Sequence, residues 1–336
     1  APAVPREASP TPAPALVFKP LLPAARVTLE GESDARNWAF YLTQDEAAAD
    51  PSLDIAFQNA LVVMPEASRL TVRINGERVS EAPIASSDRL QRSSIALRKG
   101  LLRAGQNTIG FEALQRHRTD CTVESTYELW TRIDGAGTRL TFRNPGARPS
   151  SLRSIDDQPA VGADEGGQTN IVIVAPGASR AVAANSILAV AQALALRGRY
   201  GQVAVTVTEQ LPARIRPGTL TVALGTGEEM RALLGGLPAD AGGRSFLGFI
   251  PGPRKNTDLL LVTAEGWPDL EALIARLLTA PVSRPANINR KTMETASWHV
   301  PDAPFISDKQ AIRFSELGIT TRESTGRRMR VRAVVA

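Results

Sequence analysis

The hydrophobic rhythm of this chain changes once, and that change decides what it can fold into. Up to about Ser150 the apolar residues come in short runs rich in strand formers: RVTLEG, WAFYL, DIAFQNALVV, SRLTVRINGERV, RSSIALRKGLL, NTIGFEAL, YELWTRI and TRLTFR. Turn residues divide them, and Asn75-Gly76 is a strong two-residue hairpin signal because both positions tolerate positive φ. Many short strands at this spacing predict an all-β sandwich or jelly roll. From Asn170 the pattern differs. NIVIVA is an unbroken apolar run, as in a strand buried on both faces. Ile187, Leu188, Ala191, Leu194 and Ala195 then recur at helical spacing. QVAVTVT, TLTVAL, SFLGFI and DLLLVTA read as further strands, and EEMRALL and WPDLEALIARLL as helices, with Pro268 suited to a first turn. Strands alternating with helices predict a layered α/β domain.

The boundaries follow from composition. APAVPREASPTPAPA opens a Pro/Ala-rich leader over residues 1–23 that is expected to be disordered. The sandwich is expected over 24–150. NPGARPSSLRSIDDQPAVGADEGGQT reads as a loop or linker, and the α/β domain spans 168–281. Residues 282–336 begin with a second linker and end in AIRFSELGITTRESTGRRMRVRAVV, whose arrangement is weakly similar to the opening of the β domain. They are expected to be a linker and the truncated start of a second sandwich. No run of about 18 apolar residues is present to span a bilayer. The formal charge of +5 is modest for 336 residues and its positives are scattered. Without a basic stripe interleaved with aromatics, nucleic acid is not an expected partner.

The most chemistry-like segment is HRTDCTVESTYELW, His117 to Trp130, which holds the single cysteine and one of two histidines. A metal site needs three or four ligands, and the other histidine, His299, lies in a distant segment. A Cys-His nucleophile needs an activating base and an oxyanion hole. The β-branched residues here do not form the helix that would let His117 meet Cys121. The segment reads as a loop before a strand, fixed by hydroxyl and Asp turn bonds, with Cys121 as a small buried hydrophobe. Leu224-Gly225-Thr226-Gly227-Glu228 follows a strand and opens a helix, where backbone N–H groups can hold a phosphate. The dinucleotide fingerprint and the P-loop Gly-Lys-Ser/Thr are both missing, and a strand-to-helix turn needs glycine in any case. Pro176-Gly177-Ala178-Ser179 is equally incomplete, and no Gly-x-Ser-x-Gly surrounds Ser179. No catalytic residue, metal or cofactor is expected.

Aromatic residues make up only 5% of the chain. A sugar-binding sandwich stacks aromatic faces on pyranose rings beside hydrogen-bonding side chains. Trp38, with Arg36 and Asn37, is the carbohydrate-binding candidate, while Phe40 and Trp130 are expected in the sandwich core. Trp298-His299 is expected to pin its linker onto a domain.

Taken together, the SRLTVRINGERV hairpin, NTIGFE, HRTDC, ELWTRID and TRLTF resemble the periplasmic B subunit of bacterial cellulose synthase. NIVIVAPGA and IRFSELGITTRESTGRRMRV are similar to that family too. The resemblance implies a jelly-roll carbohydrate-binding-like sandwich, then a flavodoxin-like α/β domain, then a repeat of the pair and a C-terminal membrane anchor. This chain is expected to hold only the truncated start of the second pair and not the anchor. It also implies a non-catalytic subunit at the periplasmic face of the inner membrane. Such a subunit supports a synthase that makes β-1,4-glucan from UDP-glucose, and guides the emerging polymer. The implied partners are the cellulose synthase catalytic subunit, the cellulose chain and the membrane. Cyclic di-GMP enters by family description alone, since no dinucleotide site is visible here. Two other readings stay open: an α/β nucleotide-binding enzyme with a β appendage, and a periplasmic glycan-binding module unrelated to synthesis.

Overall fold

The computed structural model describes residues 17–118, 128–142, 152–179, 181–241, 245–252, 257–279, 294–295 and 298–299. Two antiparallel sheets face each other in the first domain. One contains β1 (Val17–Pro20), β2 (Arg26–Glu30), β4 (Ser52–Asn59), β7 (Gln91–Ala96), β9 (Trp130–Asp134) and β10 (Arg139–Phe142). The other runs β3 (Ser33–Leu42), β8 (Gly105–Leu114), β5 (Arg69–Ile74), β6 (Glu77–Pro83). Leu29, Leu53, Ile133 and Leu140 from the first sheet meet Leu70, Ile74, Ile109 and Phe111 from the second, all at 2% exposure or less. Period two sends every other side chain into this core and its neighbours outward.

Asn75 and Gly76 make the expected turn, at φ 51° and 83°. Asn75 does more than tolerate that backbone. Its amide donates to the Leu101 carbonyl and to Asn107 Oδ1, and its oxygen accepts from Thr108 N–H, all at 2.9 Å. The hairpin tip is thereby tied to β8 and to the loop before it.

The leader expected over 1–23 ends sooner. Val17–Pro20 form β1, which pairs with β10 from Val17↔Phe142 to Pro20↔Arg139. Leu21 and Leu22 are buried behind it. A strand of four residues that ends on proline shows no alternation, so the Pro-rich composition around it hid it. β9 and β10 pair end to end with the same side of β4, and β2 and β1 pair with them in turn. This sheet is therefore built on long strands interrupted at one level. The interruption is the bulge at residues 135–138, and Gly137 sits so close over Ala56 that a side chain there would collide.

The expected linker is also more than a loop. Ile155–Val161 form a 3-10 helix capped by Ser154, with Gln158 and Ala160 buried. It lies against β3 on one side and the second domain on the other. Lys19 Nζ donates to both Glu46 carboxylate oxygens at 2.7 Å and to the Ala160 carbonyl at 2.6 Å. Glu46 belongs to α1 (Gln44–Ala48), where it completes a capping box with Thr43. Burial raises the Glu46 carboxyl above its ordinary range, against the pull of Lys19. Arg153 reaches Asp45 at 2.8 and 2.9 Å, and Tyr200 donates to the Gln158 carbonyl at 2.9 Å. A buried ion pair of the first domain thus anchors the ordered spacer, through Lys19 and the Ala160 carbonyl, and the spacer contacts the second domain.

The second domain holds β11 (Thr169–Val174), α2 (Ala181–Arg197), β12 (Val203–Thr208), β13 (Thr219–Thr226), α3 (Gly227–Leu234), β14 (Phe246–Pro251), β15 (Asp258–Ala264) and α4 (Trp267–Thr279). Its sheet order is β12-β11-β13-β15-β14, parallel except for β14. Helices α2 and α4 pack on the face carrying Ile171, Ile173, Val222 and Val262. On the opposite face Met230 of α3 packs with Ala223, Leu259 and Leu261. Among the described residues no helix is long and apolar enough to cross a membrane. Of residues 282–336, only β16 (Glu294–Thr295) and β17 (Trp298–His299) fall among the described residues, paired as a minimal hairpin within the expected linker, and the expected start of the second sandwich lies outside them.

Candidate carbohydrate-binding face

The outer face of the β4 sheet gathers the polar residues of the first domain. Alternation points Ser52, Asp54, Ala56 and Gln58 of β4 outward, because Leu53, Ile55 and Phe57 are buried. Strand register then sets their neighbours. Asp54 stands between Arg139 and Ser94, Ala56 lies beside Arg92, and Gln58 lies beside Arg132. The Arg139 guanidinium stacks 3.6 Å from the Phe18 ring centroid, a cation–π contact that fixes its plane. Its Nε lies 3.8 Å from Asp54 Oδ2, and Asp54 also accepts from the Thr141 hydroxyl. The bulge crosses this face, held by Asp134 Oδ2 accepting from Gly137 N–H at 2.8 Å. Beside it lies an open groove of about 440 Å³, bordered by Asp54, Arg92, Ser94, Arg139 and Glu165.

At the other end of the face, Trp130 is half-buried with the Arg132 guanidinium 4.7 Å from its ring centroid. Trp130 lies opposite Ala60, six residues beyond Asp54, so the two ends are about 20 Å apart along the strand. Trp130 was expected in the core, and like Trp38 it packs partly buried against the core's margin. Leu129, Thr131 and Ile133 are the fully buried residues there, which turns Trp130, Arg132 and Asp134 outward. Reading YELWTRID in period two from Leu129 and Ile133 would have found this face.

The trio Trp38, Arg36 and Asn37 does not converge. Trp38 packs on the core, its ring centroid 6.1 Å from that of Phe111. Arg36 pairs with Asp34 at 3.2 Å. Asn37 projects from the opposite face of β3 and lies directly over Gly110. Adjacent residues of a strand point to opposite sides of the sheet, so their closeness in sequence did not make a site.

His117 forms a bridge with Val63 and its Nε2 lies 3.6 Å from Glu128 Oε2. Asp120 and Cys121 lie outside the described residues. Among the described residues, no group of three His, Cys, Asp or Glu side chains is placed to hold a metal.

In the α/β domain, the turns after β11 and β13 flank the point where strand order reverses, the usual crevice for a nucleotide. Glu229 occupies it. Its Oε2 accepts from Thr226 N–H at 2.8 Å. A side chain added at Gly177 would come within 2.8 Å of Oε1, and one added at Gly225 within 2.7 Å of Oε2. The turn considered for phosphate is closed by a carboxylate from its own helix. Ser179 is exposed in the turn ahead of α2.

Residues 13–144 match a family model described as the first CBM domain of cellulose synthase BcsB. A curated relative, a "Cyclic di-GMP-binding protein" of Xanthomonas axonopodis pv. citri (strain 306), is 23% identical over 309 residues. The match covers 87% of this chain but 37% of that relative's length. Similar solved structures include a family 35 carbohydrate binding module from an environmental isolate, 18% identical at a TM-score of 0.19. It covers 32% of this chain and 69% of the module. A family two carbohydrate esterase from Clostridium thermocellum, in complex with cellohexaose, is 7% identical at a TM-score of 0.21. It covers 57% of this chain and 51% of the esterase.

Proposed function

We propose that this chain, whose residues 13–144 match the first CBM domain of cellulose synthase BcsB, is a non-catalytic part of a cellulose synthase complex which handles the emerging β-1,4-glucan. Its place is the periplasmic face of the bacterial inner membrane, beside the catalytic subunit that consumes UDP-glucose. Residues 24–150 carry the jelly-roll sugar contact, and β1 extends that unit to Val17. Residues 168–281 are read as a flavodoxin-like scaffold whose order begins 2-1-3 as in that fold and ends in an antiparallel hairpin. Residues 282–336 lead into a second sandwich.

The observation that carries the reading is the outer face of the β4 sheet. It joins one half-buried indole, Trp130, whose ring already lies 4.7 Å from the Arg132 guanidinium and must share its outer face with it, to a row of guanidinium, carboxylate and hydroxyl groups, the combination that recognises a pyranose by stacking and hydrogen bonds. A surface that guides a moving polymer must hold it weakly. Millimolar affinity for cello-oligosaccharides is expected, about −4 kcal/mol. The relative's name attaches cyclic di-GMP to that protein. Here Glu229 places negative charge where a phosphate would sit, so we assign any response to that nucleotide to other parts of the complex.

The test is NMR titration of the chain with cellohexaose, with the Trp130 indole N–H as probe, together with co-purification with the glycosyltransferase. Shifts at Trp130, removed by Trp130→Ala in a folded protein, support the reading. Shifts confined to the Trp38 indole would move the contact to β3. No shift anywhere at millimolar sugar leaves the sandwich a structural role only.

A further inference from the structure

We infer that the groove beside the bulge is a second sugar subsite, separate from Trp130 and completed by the interdomain spacer. This rests on the carbohydrate-handling reading above. The groove of about 440 Å³ lies within the size range of small-ligand sites, and like many of them it sits where two domains join.

Its chemistry selects the ligand. Two arginines, Arg92 and Arg139, face two carboxylates, Asp54 and Glu165, so the formal charges cancel. A phosphate or a uronate would gain from the arginines and lose to the carboxylates at this range. A neutral polyol meets no such conflict. Its hydroxyls can accept from guanidinium N–H groups and donate to carboxylates, and each such bond is charge-assisted.

The groups are unequally committed. Arg139 is fixed by Phe18 and lies near Asp54, and its buried Nε has no hydrogen-bond partner. Arg92 and Glu165 are exposed, and neither forms an ion pair among the described residues. Arg139 and Asp54 therefore form a preorganised floor, and Arg92 and Glu165 a rim free to close on a ring. No aromatic face is open in the groove, because Arg139 covers Phe18. Recognition here is by hydrogen bonds alone and is weaker than at Trp130.

Glu165 does not belong to the sandwich. It stands in the turn at residues 164–167, fastened by Gly167 N–H donating to the Asp164 carbonyl at 3.0 Å and by Asp164 Oδ1 accepting from Gly166 and Gln168 N–H. The backbone of that turn abuts Pro23, Ala24 and Gly135. The backbone that carries Glu165 is thus held at a fixed distance from the floor, and only the rim side chains are left to move.

The experiment uses the full chain with cellohexaose, reading hydrogen exchange along β7, the bulge and the spacer turn together with affinity by NMR titration. Wild type should show protection at the groove and at Trp130. Trp130→Ala should keep the groove protection. Arg92→Ala with Glu165→Gln should lose it and weaken groove binding by roughly tenfold, the equivalent of one charge-assisted hydrogen bond, while the Trp130 shifts persist. Both substituted side chains are exposed, so folding is not at stake. Protection at Trp130 with none at the groove, or a double variant that binds like wild type, overturns the second subsite and leaves the Trp130 reading standing. Absence of any sugar binding overturns both. Inorganic phosphate that binds the groove and is displaced by Arg92→Ala would overturn the neutral-sugar assignment.

Discussion

Replacing Lys19 with methionine should expose how the domain joint is held. The substitution keeps the length of the side chain but strands the Glu46 carboxylate, which is 5% exposed in its side chain. A stranded charge costs no more than neutralising it at the working pH. For a carboxyl of ordinary pKa near 4.3 that ceiling is about 4 kcal/mol at pH 7 and about 1 kcal/mol at pH 5. The orphaned Ala160 carbonyl adds about 1 kcal/mol at either pH. The sign follows from Glu46 itself. Burial already raises its folded-state pKa above 4.5, and losing Lys19 raises it further. The folded variant then takes up a proton at higher pH than the unfolded chain does. Its stability recovers as pH falls through the raised value towards 4.5. Glu46→Leu should also be destabilising, by about 3–5 kcal/mol, because it leaves the Lys19 ammonium buried without its partner. Acidification should not relieve that loss. The double variant, with two apolar side chains filling the space, should lie near wild type or above it. Urea denaturation of all four proteins at pH 7 and pH 5, followed by tryptophan fluorescence, measures these terms. A Lys19→Met penalty equal at the two pH values, or a double variant that loses the sum of the singles, would refute the account of a buried, coupled pair.

Two further outcomes are expected. Asn75→Ala loses three 2.9 Å hydrogen bonds and puts a Cβ without a compensating side chain at φ 51°, so denaturation should show about 3 kcal/mol or more. Asn75→Gly should cost less, because it gives up the bonds but not the backbone freedom. Tyr200→Phe should cost about 1 kcal/mol at neutral pH by removing the bond to the Gln158 carbonyl. Burial raises the Tyr200 phenol above its usual value, so wild-type stability from this group falls as pH rises past about 10. Thermal melts at pH 7 and above pH 10 should show the cost of the substitution shrinking.

Much of this fold could be read from the sequence because local physics wrote it there. The Asn75-Gly76 turn needs only two residues with positive φ, and the move from alternating to unbroken apolar runs needs only a change in which faces are buried. What escaped depends on partners far along the chain. β1 carries no pattern of its own, and its identity comes from residues 139–142. The 3-10 segment looks like a loop because its order comes from burial between two domains. Lys19 and Glu46 read as surface charges until the fold brings them together. The candidate trio is split for a related reason. Arg36, Asn37 and Trp38 are adjacent in sequence, but a strand divides neighbours between two faces. The better candidate face draws on β4, β7, β9 and β10, which no short stretch of sequence displays.

The position of β1 also sets a clock on biosynthesis. Lys19 closes on a carbonyl 141 residues downstream, and β1 has no strand partner until β10 has been made. At ribosomal rates of about 5–20 residues per second, the first strand waits on the order of ten seconds for its place. For that interval Val17 to Leu22 is an apolar stretch without shelter, and the edge of β10 that will receive it is not yet there. The sandwich therefore cannot complete itself as a nascent domain and move on. Its final strand-pairing and the first turn of the spacer become one late event, so Val17 to Leu22, made before the rest of the sandwich, are among its last residues to be buried.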